Sequence, residues 1–171
     1  MSDENDDEID MGGETVSLAQ LAGIDLDGIQ ERRMLVFPVG SYVWEVIAEP
    51  EPPKLANIGG KGAVRFNLKC LNVIHVKNPE EAPNGNPADL VGKNHGETFF
   101  LTSLESLGWL KAFMVDIGGQ GKGALNSLLL GTVGLRFTAP IAMEKNKNDK
   151  DIVYFKINRS KIVPEKKMKA A

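Results

Sequence analysis

The sequence predicts a mainly β domain with one substantial helix. Residues 64–70 alternate apolar and polar side chains without a fault, which is typical of a strand with one buried face. Four further segments are strand-like, and the connections at 49–62 and 77–95 are rich in proline and glycine. Only the segment after residue 102 combines a capping signal with a long apolar stripe of helical period. We therefore expect five strands and one helix.

Composition is compatible with one globular domain. The chain has 171 residues, of which 42% are hydrophobic, and this is enough to form a core. Its single cysteine, Cys70, excludes an internal disulfide. No apolar segment approaches the ~20 residues that a membrane span needs, and the acidic N-terminal residues lack the character of a signal peptide. We therefore expect a cytoplasmic protein with no membrane partner.

Charge is divided unevenly along the chain. Residues 1–31 contain ten Asp or Glu and no Lys or Arg, which leaves an excess of seven positive charges on the remainder. An acidic segment before a basic body is typical of proteins that bind nucleic acid, although a solvated tail beside a mildly basic domain would look the same. We expect residues 1–34 to be a disordered acidic leader with short helical turns, 35–164 the folded domain, and 165–171 a frayed basic tail.

The first strand is expected at 42–48. Its alternation predicts that Tyr42, Trp44 and Val46 are buried, and the prolines from residue 50 onward end it. Residues 54–62 contain two lysines and three glycines, so a flexible basic loop is expected there.

The second strand is the one around which we expect the domain to be organised. Alternation directs Val64, Phe66, Leu68 and Cys70 inward; the polar set Arg65, Asn67 and Lys69 is then directed outward. At residues 70–71 the alternation changes phase, which predicts a β-bulge and a bend before the strand ends near residue 76.

A long loop, 77–95, precedes a short third strand at 97–101. Because neighbouring strand residues point to opposite faces, only one of Phe99 and Phe100 can enter the core. Thr102 and Glu105 fit a capping box for the helix. The expected apolar stripe of that helix is Leu104, Leu107, Leu110, Met114 and Ile117, with Gly118-Gly119 at its end.

The remaining elements are a short helical turn at 125–130, a strand at 132–143, a polar hairpin connection at 145–151 and a last strand at 152–163. The fourth strand is expected to bury Val133, Leu135, Phe137 and Ala139, with Arg136 and Thr138 outward. The last strand is expected to place Val153, Phe155 and Ile157 opposite Tyr154, Lys156 and Asn158.

This order, with a helix between strands three and four, is that of the oligonucleotide/oligosaccharide-binding (OB) fold, a five-stranded barrel. Cations interleaved with aromatic rings on its outside favour single-stranded DNA as the ligand, because cations follow the phosphates while rings stack on any base. Any one of these cations alone would be interpreted as a solvated side chain at a strand edge. The candidate DNA-binding residues are Lys54, Lys61, Arg65, Asn67, Lys69, Phe99, Phe100, Arg136, Tyr154 and Lys156.

Five short segments support a more specific expectation: AGIDL at 22–26, LVFPVGSY at 35–42, LVGK at 90–93, ETFFL at 97–101 and KNDKDIVY at 147–154. In these segments the chain resembles a family of bacteriophage single-stranded DNA-binding proteins. The resemblance implies a protein that coats single-stranded DNA during phage replication, recombination or repair in a bacterial host cell. Proteins of this kind often have their acidic tail at the C-terminus, whereas here the acids precede the domain. Two roles are left open for the leader: it competes with DNA for the basic site, or it recruits replication or recombination proteins.

No enzymatic activity, metal or cofactor is expected. His75, His95 and Cys70 are not at metal-ligand spacing, and no catalytic triad or carboxylate pair is evident. The alternative function is that of a phage accessory or structural factor that uses the same barrel to bind protein. The oligomeric state is left open, with a dimer as one option.

Overall fold

The computed structural model describes residues 8–10, 15–28 and 35–165, and the chain divides into two units, Met1–Leu35 and Val36–Ala171. In the first unit, β1 (Glu8–Asp10) pairs antiparallel with β2 (Thr15–Ser17), and α1 (Leu18–Ala22) and a 3-10 turn (Leu26–Gly28) follow. The short helical turns are thus confirmed. Residues 8–10 lie in the segment expected to be disordered, and there they form a three-residue ladder with β2.

The second unit consists of β3 (Gly40–Ile47), β4 (Leu55–Ile58), β5 (Lys61–Val76), β6 (Asn94–Leu101), α2 (Leu104–Asp116), α3 (Leu125–Leu130), β7 (Arg136–Lys145), β8 (Val153–Ile157) and β9 (Val163–Pro164). Its seven strands form a single antiparallel sheet in the order β4-β5-β3-β7-β8, with β6 also paired to β5 and β9 to β7. A mainly β fold is confirmed. The closed five-stranded barrel is wrong for the described residues, since the sheet is open and has two additional strands.

The first additional strand, β4, lies where a flexible basic loop was expected. It pairs with the start of β5 around Gly59 and Gly60, whose φ angles are 60° and 81°. Two consecutive positive φ angles are the requirement of the tight hairpin turn that matches strand twist, and glycine meets it without steric cost. A Gly-Gly pair between two short segments is therefore a hairpin signal, and here it outweighs the flexibility that three glycines predict.

The bulge predicted in the long strand is confirmed. In the ladder between β3 and β5, Trp44 pairs with Cys70 while Val43 pairs with Asn72, so Leu71 is the extra residue. A second shift leaves Ile74 without a partner in the same way. Because bulges bend a strand and increase its twist, they allow the 16 residues of β5 to reach β4, β6 and β3.

The core is built on the faces that alternation predicted. Tyr42, Trp44 and Val46 of β3 are buried, as are the four predicted inward residues of β5. The Tyr42 hydroxyl donates to the Pro38 carbonyl at 2.6 Å, and Trp44 Nε1 donates to the Ala139 carbonyl at 3.1 Å, so both polar groups are satisfied. Burial raises the pKa of the Cys70 thiol to about 11 and also raises the pKa of Tyr42.

Helix α2 begins one residue later than its capping signal suggests. Ser103, not Thr102, accepts from the Ser106 N–H at 3.2 Å, and the Ser106 hydroxyl in turn accepts from the Ser103 N–H at 3.0 Å. The buried stripe is Leu110, Phe113, Met114 and Ile117. Leu104 was expected in the core but is 87% exposed, because it lies about 120° around the helix axis from Leu110.

The strands at the C-terminal end are shorter than expected. β7 begins at Arg136, four residues later than predicted, with Phe137 and Ala139 buried and Val133 exposed. The predicted last strand is divided into β8, a 3-10 turn (Arg159–Lys161) and β9. The division occurs at Asn158, whose side-chain oxygen accepts from the Ser160 N–H at 3.2 Å and so replaces the strand with a local turn.

A buried carboxylate connects β6 to β8. Glu97 of β6 is 2% exposed, and its Oε1 accepts from the Ile157 N–H of β8 at 2.8 Å. The same oxygen lies 2.7 Å from His95 Nε2, and Oε2 lies 3.5 Å from an Arg159 guanidinium nitrogen. Among the described residues β6 and β8 form no backbone ladder, so this side chain joins two strands that the sheet leaves unpaired.

The helices of this fold are short. The longest one within the described ranges, α2, has 13 residues, and none of the helices there is both long and apolar enough to cross a bilayer.

Candidate nucleic-acid interface

The polar side of the long strand is called here the outer face of β5 and consists of Lys61, Arg65, Asn67 and Lys69. The predicted orientation of the last three is confirmed: Arg65 and Lys69 are exposed, Asn67 is half-buried, and the intervening residues are in the core. Lys61, which was expected in a loop, is the first residue of the strand. Local alternation thus directs four polar side chains to one side of the centre of the sheet.

The cations of this face are not held in ion pairs, although Glu45 is the cross-strand neighbour of Lys69. Within the described part of the chain, Lys61, Arg65 and Lys69 form no ion pair or side-chain hydrogen bond. Each is four residues from the next, and at about 3.3 Å per residue this places their backbones ~13 Å apart. The result is an extended row of positive charge whose N–H donors are available to a ligand.

Gly96 of β6 makes room for the Arg65 side chain. A Cβ at that position would collide with the Arg65 guanidinium, and Gly96 is the cross-strand partner of Asn67. The missing side chain therefore lets Arg65 extend across the neighbouring strand. Asn94, two residues earlier, pairs with Lys69 and is exposed. Sequence analysis missed both residues because it began the strand at 97.

Phe100 is the aromatic ring on this side of the sheet. It is 48% exposed and pairs with Ala63 of β5, whereas Phe99 is 4% exposed. The expectation that one ring enters the core is therefore confirmed. Phe99 packs 5.0 Å from Phe113 and 3.8 Å from the Arg159 guanidinium carbon, which removes it from the candidate interface.

Two predicted cations close to this face are neutralised by neighbouring acids. Lys54 Nζ lies 2.8 Å from Glu51, and Arg136 Nε lies 2.8 Å from Glu45. Glu45 is also the cross-strand partner of Lys69, so Arg136, Glu45 and Lys69 form a row across three strands. Arg136 is thus near the outer face of β5, but its charge is locally compensated.

The last two candidates belong to a separate group, the β8 cluster, which consists of Tyr154, Lys156, Glu144 and Asn146. Lys156 Nζ lies 4.0 Å from Glu144 and 5.2 Å from the Tyr154 ring centre, and Asn146 donates to the Tyr154 hydroxyl at 3.0 Å. Tyr154 pairs with Glu144, eight residues along β7 from Arg136. That separation is ~26 Å, so the structure does not bring the β8 cluster together with the outer face of β5.

Within the residues that the structure describes there is no group of three or more His, Cys, Asp or Glu that could hold a metal ion. His95, one of the two histidines, is engaged with the buried Glu97.

Comparison with known proteins assigns no family. The sequence matches no protein-family model. It also matches no curated protein sequence.

Proposed function

We propose that this protein binds single-stranded DNA along the outer face of β5 and coats it with little overall sequence preference. The observation that supports this best is the row of Lys61, Arg65 and Lys69, free of ion pairs in the described chain and adjacent to the exposed ring of Phe100. Cations at regular spacing neutralise phosphates along the strand, and an exposed ring stacks on a base of any identity. A ring can stack only on an exposed base face, and in a duplex the base faces are covered by neighbouring bases. The arrangement therefore favours single strands.

The order of the elements supports the same proposal. β3, β5 and β6 follow one another as a meander, α2 comes next, and β7 and β8 return on the other side of β3. This is the order of the OB fold, with β4 and β9 as additions. Glu97 connects β6 to β8 at the place where a ladder would close the barrel. We therefore infer an open variant of that fold.

The biological setting is proposed from the resemblance described above. Phage DNA replication, recombination or repair in the cytoplasm of a bacterial host would require a protein that covers transient single strands. The acidic leader would then recruit replication or recombination proteins through their basic surfaces. Both statements extend the proposal beyond DNA binding.

A second candidate function is protein binding, as an accessory or structural factor. The observation that favours it is apolar surface on α2, where Leu104 is 87% and Trp109 is 60% exposed. Large exposed apolar surfaces are typical of interaction sites.

Titration of fluorescent oligothymidylate and of a duplex of equal length, each at two salt concentrations, distinguishes the two functions. We expect tighter binding to the single strand and an affinity that falls steeply with salt, with ~0.7 counterions released per neutralised phosphate. Equal affinity for both DNA forms, or a response that is flat with salt, would contradict the proposal. Weak binding that does not saturate would favour protein binding.

A further inference from the structure

One carboxylate lies among the cations beside the outer face of β5. Glu45 of β3 is the cross-strand partner of Lys69 on one side and of Arg136 on the other. Adjacent strands are about 4.8 Å apart, so the backbones of the two cations are separated by roughly 10 Å. Trp44 and Val46, the chain neighbours of Glu45, are buried. Alternation therefore directs Glu45 to the side of the sheet that carries Lys69.

The carboxylate is paired with only one of the two cations. Arg136 Nε donates to Glu45 Oε2 at 2.8 Å, whereas Lys69 forms no ion pair within the described chain. Glu45 and Lys69 both line a groove of about 450 Å³, and Arg136 does not. Lys69 is thus available from this groove, while Arg136, on the strand beyond Glu45, is engaged in a charge-assisted hydrogen bond.

This ion pair matters less for the fold than for an anionic ligand. The Arg136 and Glu45 side chains are 49% and 24% exposed, and a pair in such surroundings contributes little to stability because water solvates both partners. A polyanion on the same surface meets two effects of the one carboxylate. Its negative charge repels a phosphate near Lys69, and it neutralises the cation that would bind a further phosphate.

We propose that Glu45 limits the single-stranded DNA site on the β3 side: it keeps Arg136 from binding phosphate and so restricts the number of phosphates that the protein neutralises. A repulsive charge at the border of an interface prevents contacts that the rest of the surface would permit. The inference rests on the proposed function and makes it more specific, because it states where the row of available cations ends and which residue ends it.

The experiment measures the affinity of the full chain for fluorescent oligothymidylate over a tenfold range of salt. Glu45→Gln nearly keeps the size of the side chain and removes the counter-charge of Arg136. This variant should bind one further phosphate, so its slope of log affinity against log salt should be steeper by about 0.7. Its advantage over wild type should then grow about fivefold when salt is diluted tenfold. Adding Arg136→Gln to this variant should return the slope to that of wild type.

Glu49→Gln is the matched control, because Glu49 is an exposed carboxylate that lines the same groove and forms no ion pair within the described residues. It removes the same charge without releasing an arginine and should leave the slope unchanged. All variants should melt at nearly the wild-type temperature, since the substituted side chains reach solvent.

Three results overturn the inference and leave the proposed function intact: an unchanged slope in Glu45→Gln, an equal increase in Glu49→Gln, or an increase that persists after Arg136→Gln is added. A wild-type protein that does not bind oligothymidylate, or that binds it without dependence on salt, overturns the proposed function together with the inference.

Discussion

The outer face of β5 and the β8 cluster contain similar side chains in different surroundings. On strands of the same sheet, the three cations of the outer face of β5 lie beside Phe100 of β6, and the single cation of the β8 cluster, Lys156, lies beside Tyr154. On β5 the cations have no acidic partner within the described chain, and Phe100 has an open face; in the β8 cluster Lys156 faces Glu144, and Tyr154 accepts a hydrogen bond from Asn146. Availability for a ligand therefore depends on what the neighbouring strand presents, and composition alone does not reveal it.

The largest expected effect concerns the connection between β6 and β8. Replacing Glu97 with Ala should lower the free energy of unfolding by about 3 kcal/mol, because the buried Ile157 N–H loses its acceptor. Denaturant titration measures this. Glu97→Gln keeps an acceptor and should cost less, and Glu144→Ala in the β8 cluster should change stability by less than about 0.5 kcal/mol. Equal effects of the buried and exposed substitutions would show that Glu97 does not stabilise the connection.

The second effect compares the unpaired cations on the outer face of β5 with two paired cations, Arg136 near that face and Lys156 of the β8 cluster. Arg65→Gln with Lys69→Gln should reduce the slope of log affinity against log salt by about 1.4, since each phosphate contact on a single strand contributes ~0.7. Arg136→Gln with Lys156→Gln removes the same charge from positions already opposed by acids and should leave the slope nearly unchanged. If the second pair reduces the slope as much as the first, the difference between the regions has no consequence for binding.

The third effect separates the two rings. Phe100→Ala should weaken binding to oligothymidylate by ~1–3 kcal/mol at every salt concentration without altering the salt slope, because stacking releases no counterions. Tyr154→Ala should have little effect on affinity. Thermal melting of both variants provides the control for folding. A loss of affinity in Tyr154→Ala alone would transfer the stacking site to the β8 cluster.

A smaller effect is expected from the acidic leader. Removing residues 2–14 deletes seven acids and changes the formal net charge from −3 to a positive value. Binding should tighten, mainly at low salt, because the Debye length is ~30 Å at 0.01 M and ~8 Å at physiological ionic strength. A full-length variant with the same acids replaced by Asn and Gln should behave like the truncated protein. Identical affinities at low salt would leave the leader without influence on DNA binding.

The smallest effect is a dependence of stability on pH at the inner side of β5. The Cys70 thiol has a pKa of about 11 in the folded protein, raised by burial from an ordinary value of 9.0. Between these values the folded state retains a proton that the unfolded state has lost, so stability should fall as pH rises through this window. Tyr42, whose pKa is also raised, contributes in the same direction. Cys70→Ala should show a shallower decline; an identical decline would assign the effect to Tyr42.

The alternation of apolar and polar residues along the strands made much of the fold predictable. Alternation identified the buried faces of β3 and β5, and its change of phase identified the bulge after Cys70. The same alternation placed Arg65, Asn67 and Lys69 outward, since a strand residue's face depends only on its neighbours in the chain. The hairpin of β4 was also encoded locally, in Gly59-Gly60, but was interpreted as flexibility.

Contacts between distant residues decided the rest. The Arg136–Glu45 ion pair joins residues 91 apart, and the bond from Ile157 to Glu97 joins residues 60 apart, so no local pattern indicates either. Alternation showed that one of Phe99 and Phe100 is buried, and only packing against Phe66 and Phe113 selected Phe99. On β3 and β5 the sequence by itself therefore determined which side chains leave the core. The tertiary structure decided which of them remain available, because pairing and stacking depend on the strand that comes to lie alongside.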